Sequence, residues 1–168
     1  MSIDPNAEAK QAAGHAAAAL VEDGMRLGLG TGSTTAYAIE AIGRRIATDG
    51  LEVVGVPTSF AAEQLARQYG VPTVGLEGLG FDDMPTSKPP LDLALDGADE
   101  VDPAGSLIKG RGAAHVREKV VATLADRFVV LADSSKIVDR LGKSAPVPVE
   151  VLPFAMPAVA RALRGLGA

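Results

Sequence analysis

The chain has 168 residues, with 16 Lys+Arg against 21 Asp+Glu, so its formal charge is −5 and gives no electrostatic footprint for nucleic acid. Apolar residues make up 47%, enough for a packed core, yet no run nears the ~18 uninterrupted apolar residues of a membrane span. There is no cysteine and there are only two histidines, His15 and His115, which excludes disulfides, thiolate chemistry and a histidine-rich metal cage.

In chain order, the opening MSIDPNAEAKQ is acidic and polar, unlike a secretory leader, and predicts a cytoplasmic protein. Ala7 to Val21 reads as an alanine-rich helix stopped by Asp23 and Gly24. Met25 to Gly30 is a short apolar strand entering a glycine-rich turn. A helix from Ser33 to about Ala47 carries Ala36, Ile39, Ile42 and Ile46 at helical spacing. Leu51 to Val56 reads as a strand, and Ser59 begins a helix ended by Gly70. Val71 to Val74 reads as a short strand, followed by a loop through Pro90 that we expect to be extended and on the surface. LDLAL, Leu91 to Leu95, has the continuous apolar character of a central strand and runs into the polar turn DGADEVDPAGS. After Leu107, Ile108 and KGRGAA comes a helix to about Ala125, whose apolar stripe is Val116, Val120 and Leu124. Arg127 to Asp133 and Val147 to Leu152 read as strands, and the remainder as a final helix. Strands alternating with helices predict an α/β fold, a parallel sheet with helices on both faces. SAPVP, Ser144 to Pro148, is the one candidate boundary.

Three segments carry candidate chemistry. In GLGTGST, Gly28 to Thr34, glycines expose successive N–H groups, and Ser33 and Thr34 add hydroxyls at a helix start. That is an anion site suited to phosphate. A dinucleotide fingerprint fits poorly, because Ser33 replaces the third glycine, and no Walker lysine follows. The alternative is a strand-to-helix turn that merely needs glycine. DGADE, Asp96 to Glu100, follows the central strand, where ligands gather in parallel sheets. Three carboxylates so close would repel, so one could hold a raised pKa and act as an acid. The alternative is an acidic turn whose Asp side chains bond their own backbone. In KGRGAAHVREK, Glu118 lies off the apolar stripe on a line with Ala114, Ala122 and Ala125, which leaves room for a ligand. Against that stands a solvated Glu beside Arg117 and Lys119. His115 and His15 read as surface or packing residues. Lys136, in ADSSK, reads either as an anion contact or as a solvated lysine near a helix cap.

GLGTGST, VPTSFAAEQLA, LDLALDGADEVDP, LIKGRGAAHVREK, ADSSKIVDRLGK and PVEVLPFA stand in the order and spacing of the A-type ribose-5-phosphate isomerase family, which the chain resembles from about Lys10 onward. The resemblance implies a Rossmann-like catalytic domain over 1–145, with 146–168 as the first strand and helix of a small α+β domain whose C-terminal part is lacking. It implies an aldose–ketose isomerase of the pentose phosphate pathway that uses neither metal nor organic cofactor. Its partners would be a small sugar phosphate and copies of itself in a homodimer or homotetramer, with no nucleic acid and no membrane. It assigns the catalytic base to Glu118, the sugar-site carboxylates to Asp96 and Asp99, and the active-site lysine to Lys109. Substrate contacts fall on Thr31, Gly32, Ser33, Thr34, Gly97, Ala98, Gly110, Arg111, Gly112, Lys136 and Lys10. Arg111 stands where many relatives have glycine. Two rival readings are a sugar-phosphate sensor domain without turnover and an acyl-CoA transferase in which a Glu attacks a thioester. The family's greater length further implies an uncovered strand edge near the C-terminus, with a cost in stability or assembly.

Overall fold

The computed structural model describes residues 4–80 and 84–167. Its core is a four-stranded parallel sheet in the order β2-β1-β3-β6, where β1 is Arg26–Leu29, β2 Val54–Pro57, β3 Leu91–Gly97 and β6 Ala125–Leu131. Gly28 pairs with Ala94, Leu29 with Leu95, and Gly97 with Leu131. From β1 the chain crosses outward to β2 on one side, then returns to place β3 on the other. The loops after β1 and β3 therefore diverge and leave a crevice at the carboxyl edge of the sheet.

One face of the sheet is covered by α1 (Ala7–Ala18), α2 (Ser33–Asp49) and α3 (Phe60–Gln68). Leu27, Leu29, Leu93 and Leu95 meet Ala17, Ala18, Ile39, Ile42 and Ala66 there. Each fully buried Leu contributes about 1.5–3 kcal/mol, so this face supplies most of the cohesion. The predicted α2 stripe holds, with Ile39 and Ile42 almost fully enclosed. Ser59 caps α3 by accepting the N–H of Ala62 at 3.1 Å.

The other face is covered by α4 (His115–Thr123), and here two of the three residues of the expected apolar stripe face solvent, while Leu124 packs partly buried against the core. Val116 and Val120 are exposed, while Val121 and Glu118 are buried. The cause is on the sheet. A Cβ on Gly28 would stand 2.4 Å from Val121 Cγ1 and 2.8 Å from the Cβ of Ala94. These small residues admit Val121 deeply, and the turn of helix that carries it inward carries Glu118 inward too.

Three expected strands are also corrected. The second begins at Val54 rather than Leu51, although Leu51 is still buried. Val71 to Val74 makes only a single bridge, Gly55 to Thr73, because Pro72 has no N–H to extend a ladder. Residues 146–152 form no strand: Pro146 and Pro148 remove alternate donors, and no strand among the described residues pairs with them. The expected turn after β3 is a hairpin, β4 (Glu100–Val101) with β5 (Leu107–Ile108). In the loop expected through Pro90, Leu76–Leu79 forms a 3₁₀ turn that buries Leu79, and residues 81–83 lie outside the described part. The final helix, α5 (Met156–Gly165), buries none of its residues, and Val147, Leu152 and Phe154 before it are exposed. Among the described residues, no helix is long and apolar enough to cross a membrane.

Candidate active site

The crevice at the carboxyl edge is a cleft of about 170 Å³. It is lined by Thr31 to Thr35 after β1, Gly97 to Asp99 after β3, Lys109 to Gly112 after β5, Glu118 of α4 and Lys136 after β6. Five segments far apart in sequence thus meet at one place. Every expected site residue except Asp96 and Lys10 is among these lining residues, and Asp96 lies directly beneath them.

Asp96 is 3% exposed at the end of β3. Its Oδ1 accepts the N–H groups of Gly97, at 2.7 Å, and Thr31, at 3.1 Å. This approach requires Gly30, where a Cβ would fall 2.2 Å from that same oxygen. Gly32 precedes α2 with φ +131°, a backbone that an L side chain rarely adopts. The Thr31 hydroxyl is turned away from Asp96, donating to Ser59 Oγ at 2.6 Å and lying 3.0 Å from Thr58 Oγ1. Thr58 and Ser59 are partners that sequence reasoning missed, since nothing local links them to the first loop.

Lys109 is the hub. Its Nζ lies 2.9 Å from Asp96 Oδ2 and 3.2 Å from Glu118 Oε2, and it donates to the carbonyl of Gly97. Two buried carboxylates therefore share one ammonium. Burial, and then the charge of Asp96, push the Glu118 carboxyl above its ordinary range, with Lys109 opposing. A carboxyl held up in this way beside a cation is suited to take and return a proton. The solvated alternative for Glu118 is excluded by its 5% exposure.

The DGADE carboxylates diverge instead of crowding. Asp99 Oδ2 accepts the N–H of Arg111 at 3.0 Å, which folds the KGRG loop over the cleft. Glu100 is enclosed on the far side and accepts from Gly142 and Ala145 N–H and from Ser144 N–H and Oγ. Burial opposes its charge, but these bonds hold its carboxyl at about 2. The expected raised pKa thus belongs to Glu118, one helix away. Local bonding of an Asp to its own backbone is seen both at Asp96, with the Gly97 N–H, and beyond DGADE at Asp102, which accepts from Ala104 and Ser106.

Lys136 lines the cleft from the 3₁₀ turn Ser134–Lys136. Lys10 pairs with Asp4 at 2.7 Å. His15 is exposed on α1. His115 sits over Gly110 and lies 3.4 Å from Glu150, facing a second cavity of about 450 Å³ that also touches Lys109 and Glu118.

The family model for ribose 5-phosphate isomerase A (phosphoriboisomerase A) matches residues 54–168. The ribose-5-phosphate isomerase A of Thermosynechococcus vestitus is 55% identical over 168 residues, covering 99% of this chain and 67% of that protein. The structure of ribose 5-phosphate isomerase A from Methanocaldococcus jannaschii superposes with a TM-score of 0.86 at 46% identity, covering 96% of this chain and 68% of that one. A D-ribose-5-phosphate isomerase in complex with phospho-erythronic acid superposes at 0.85 with 43% identity, over 94% of this chain and 65% of that one. The chain thus spans about two thirds of the length of these relatives. Identity at this level over nearly every described element, added to the matching backbone, establishes that the chain belongs to the ribose-5-phosphate isomerase A family.

Proposed function

We propose that this chain interconverts ribose 5-phosphate and ribulose 5-phosphate through an enediolate, with Glu118 carrying the proton. The observation behind this reading is the single ammonium of Lys109 set between the buried carboxylates of Asp96 and Glu118 at the floor of a phosphate-sized cleft. With the open-chain aldose bound, Glu118 takes the proton from C2 and the C2 electron pair forms the C1=C2 bond, shifting charge to O1. Lys109, 19% exposed, stabilises that oxyanion. Glu118 then returns the proton to C1, while a proton passes from O2 to O1, which yields the ketose. Asp96 and Asp99 are placed for ring opening and for the oxygen-to-oxygen transfer. The N–H groups and hydroxyls of the Thr31–Thr34 loop, with Lys136, hold the phosphate and so orient the reacting carbons.

Operation in the pentose phosphate pathway, in the cytoplasm and as a dimer or tetramer, belongs to the same proposal and is supported by the family resemblance. Neither the sensor nor the acyl-transferase reading accounts for a cation shared by two buried carboxylates.

The test is direct. Ribose 5-phosphate incubated with the chain, without metal or coenzyme A, is expected to yield ketose. Glu118→Gln should lower kcat by about 10²–10⁴-fold, the usual contribution of a general base, while inorganic phosphate still binds. Near-normal turnover by that variant would overturn the assignment.

A further inference from the structure

We infer that Thr58 and Ser59, neither of which lines the cleft, are positioning residues for the phosphate loop, their hydroxyls holding Thr31 so that the N–H groups opening α2 are preorganised for a phosphate dianion. The inference rests on the sugar-phosphate reading above and extends it to the turn between β2 and α3.

Thr58 follows Pro57, the last residue of β2, and is 1% exposed. Its N–H donates to the carbonyl of Leu29, the last residue of β1, at 2.9 Å. Its hydroxyl lies 3.0 Å from that of Thr31, and the Thr31 hydroxyl donates to Ser59 Oγ at 2.6 Å. A hydroxyl has one proton, so Thr31, having given its own to Ser59, accepts from Thr58. The three hydroxyls thus form a directed chain from Thr58 through Thr31 to Ser59, whose Oγ also accepts the Ala62 N–H at 3.1 Å. On its other side Thr31 gives its N–H to Asp96 Oδ1 at 3.1 Å. Thr31 is therefore pinned between the β2–α3 turn and the end of β3, by its side chain on one side and its backbone on the other.

The loop needs such a pin. Thr31 stands between Gly30 and Gly32, and Gly32 has φ +131°. Glycines leave the backbone its widest freedom, so the local sequence does not hold Thr31 in one orientation. The donors that would meet a phosphate are the N–H groups of the first turn of α2, which starts at Ser33. A loop ordered before the anion arrives loses no freedom on binding it, and so binds it more tightly. The fold itself does not require this link. The Thr58 N–H bond to Leu29 and the Ser59 cap of α3 would both survive Thr58→Val. The Thr58 hydroxyl reaches Thr31 and, among the described residues, no other hydrogen-bond partner. What it adds is a hold on the loop.

Two substitutions at one position separate this role from packing. Thr58→Val keeps the volume and removes the hydroxyl, while Thr58→Ser keeps the hydroxyl and removes a buried methyl. A purely structural role makes Thr58→Ser the worse of the two, because of the cavity it leaves. The positioning role reverses that order for the anion. Thr58→Val is expected to weaken inorganic phosphate binding, read by calorimetry, and to raise KM for ribose 5-phosphate, each by about fivefold, the scale of one net hydrogen bond. Its kcat should stay within about threefold, since Thr58 does not touch the reacting carbons. Thr58→Ser should bind phosphate within about twofold of the unaltered chain although it melts lower. In a Thr31→Val background, Thr58→Val should add less than about twofold, because its route to the loop is gone. Unchanged phosphate binding by Thr58→Val, an equal loss in Thr58→Ser, or an undiminished effect in the Thr31→Val background would each overturn the inference. If Thr58→Val does not fold, Ser59→Gly, which a helix start tolerates but which removes the acceptor of Thr31, must weaken phosphate in the same direction, and no change would overturn it. Should the unaltered chain bind phosphate but not isomerise the sugar, the functional reading fails, while the calorimetric comparison still decides the role of Thr58 and Ser59.

Discussion

Gly30 and Asp96 occupy each other's space: a Cβ on Gly30 would lie 2.2 Å from Asp96 Oδ1 and 2.3 Å from its Cγ. The glycine in the first loop is thus a steric condition for a carboxylate in the third strand. Gly30→Ala is expected to push Asp96 off the Thr31 and Gly97 N–H groups and away from Lys109. Overpacking of this kind costs about 1–3 kcal/mol, and a displaced site group costs about 10²-fold in rate. Urea melts and kcat/KM measured on the same preparation would check both.

Glu118 links activity and stability with opposite signs. Burial raises its pKa in the folded chain, so the fold retains a proton there that the unfolded chain releases. That favours folding at acid pH, and the advantage is lost as pH rises through the raised value. Glu118→Gln, neutral at every pH, should therefore melt higher than the unaltered chain at pH 7, and the gap should close towards acid pH. Catalysis needs the ionised form, so the acid limb of kcat/KM should fall above the ordinary value of 4.5. An acid limb at or below that value would contradict the burial of this carboxyl.

Glu100 behaves in the reverse way. Its folded carboxyl, held at about 2 by donors from Gly142, Ser144 and Ala145, contributes stability that is complete above 4.5 and is lost as pH falls towards 2. Glu100→Gln places an NH₂ against those donors and should lower the melting temperature by several degrees at pH 7. Melting curves taken from pH 7 down to pH 2 should show the two proteins converging.

The inward face of α4 can be tested by two neighbouring valines. Val121, 3% exposed against Gly28 and Ala94, should cost about 1–3 kcal/mol on substitution by Ala, through lost burial and the cavity left behind. Val120, 40% exposed, should tolerate Ser within about 0.5 kcal/mol. Equal losses at both positions would mean that the helix is rotated from the orientation described.

The sequence by itself determined the local chemistry: the glycine turn opening α2, the apolar run of β3 ending in DGADE, the Ser59 cap, and a Glu at a helix position flanked by small residues. Each is written within a few neighbouring residues, in backbone freedom, capping oxygens and apolar runs. The alternation of strands and helices was enough for a parallel α/β sheet.

Tertiary structure decided what depends on partners distant in the chain. Which face of α4 turns inward follows from Gly28 and Ala94, some 20 to 90 residues before it, and not from the helix's own valines. Residues 71–74 and 146–152 have strand-like composition but little or no ladder, because a strand exists only where another can exchange hydrogen bonds with it. The DGADE carboxylates were separated by their partners, Lys109 for Asp96, Arg111 N–H for Asp99 and the 142–145 loop for Glu100. Composition had narrowed the chemistry to carboxylates and lysines. Only the fold set one lysine between two of those carboxylates, because a pKa follows from what surrounds a group in space.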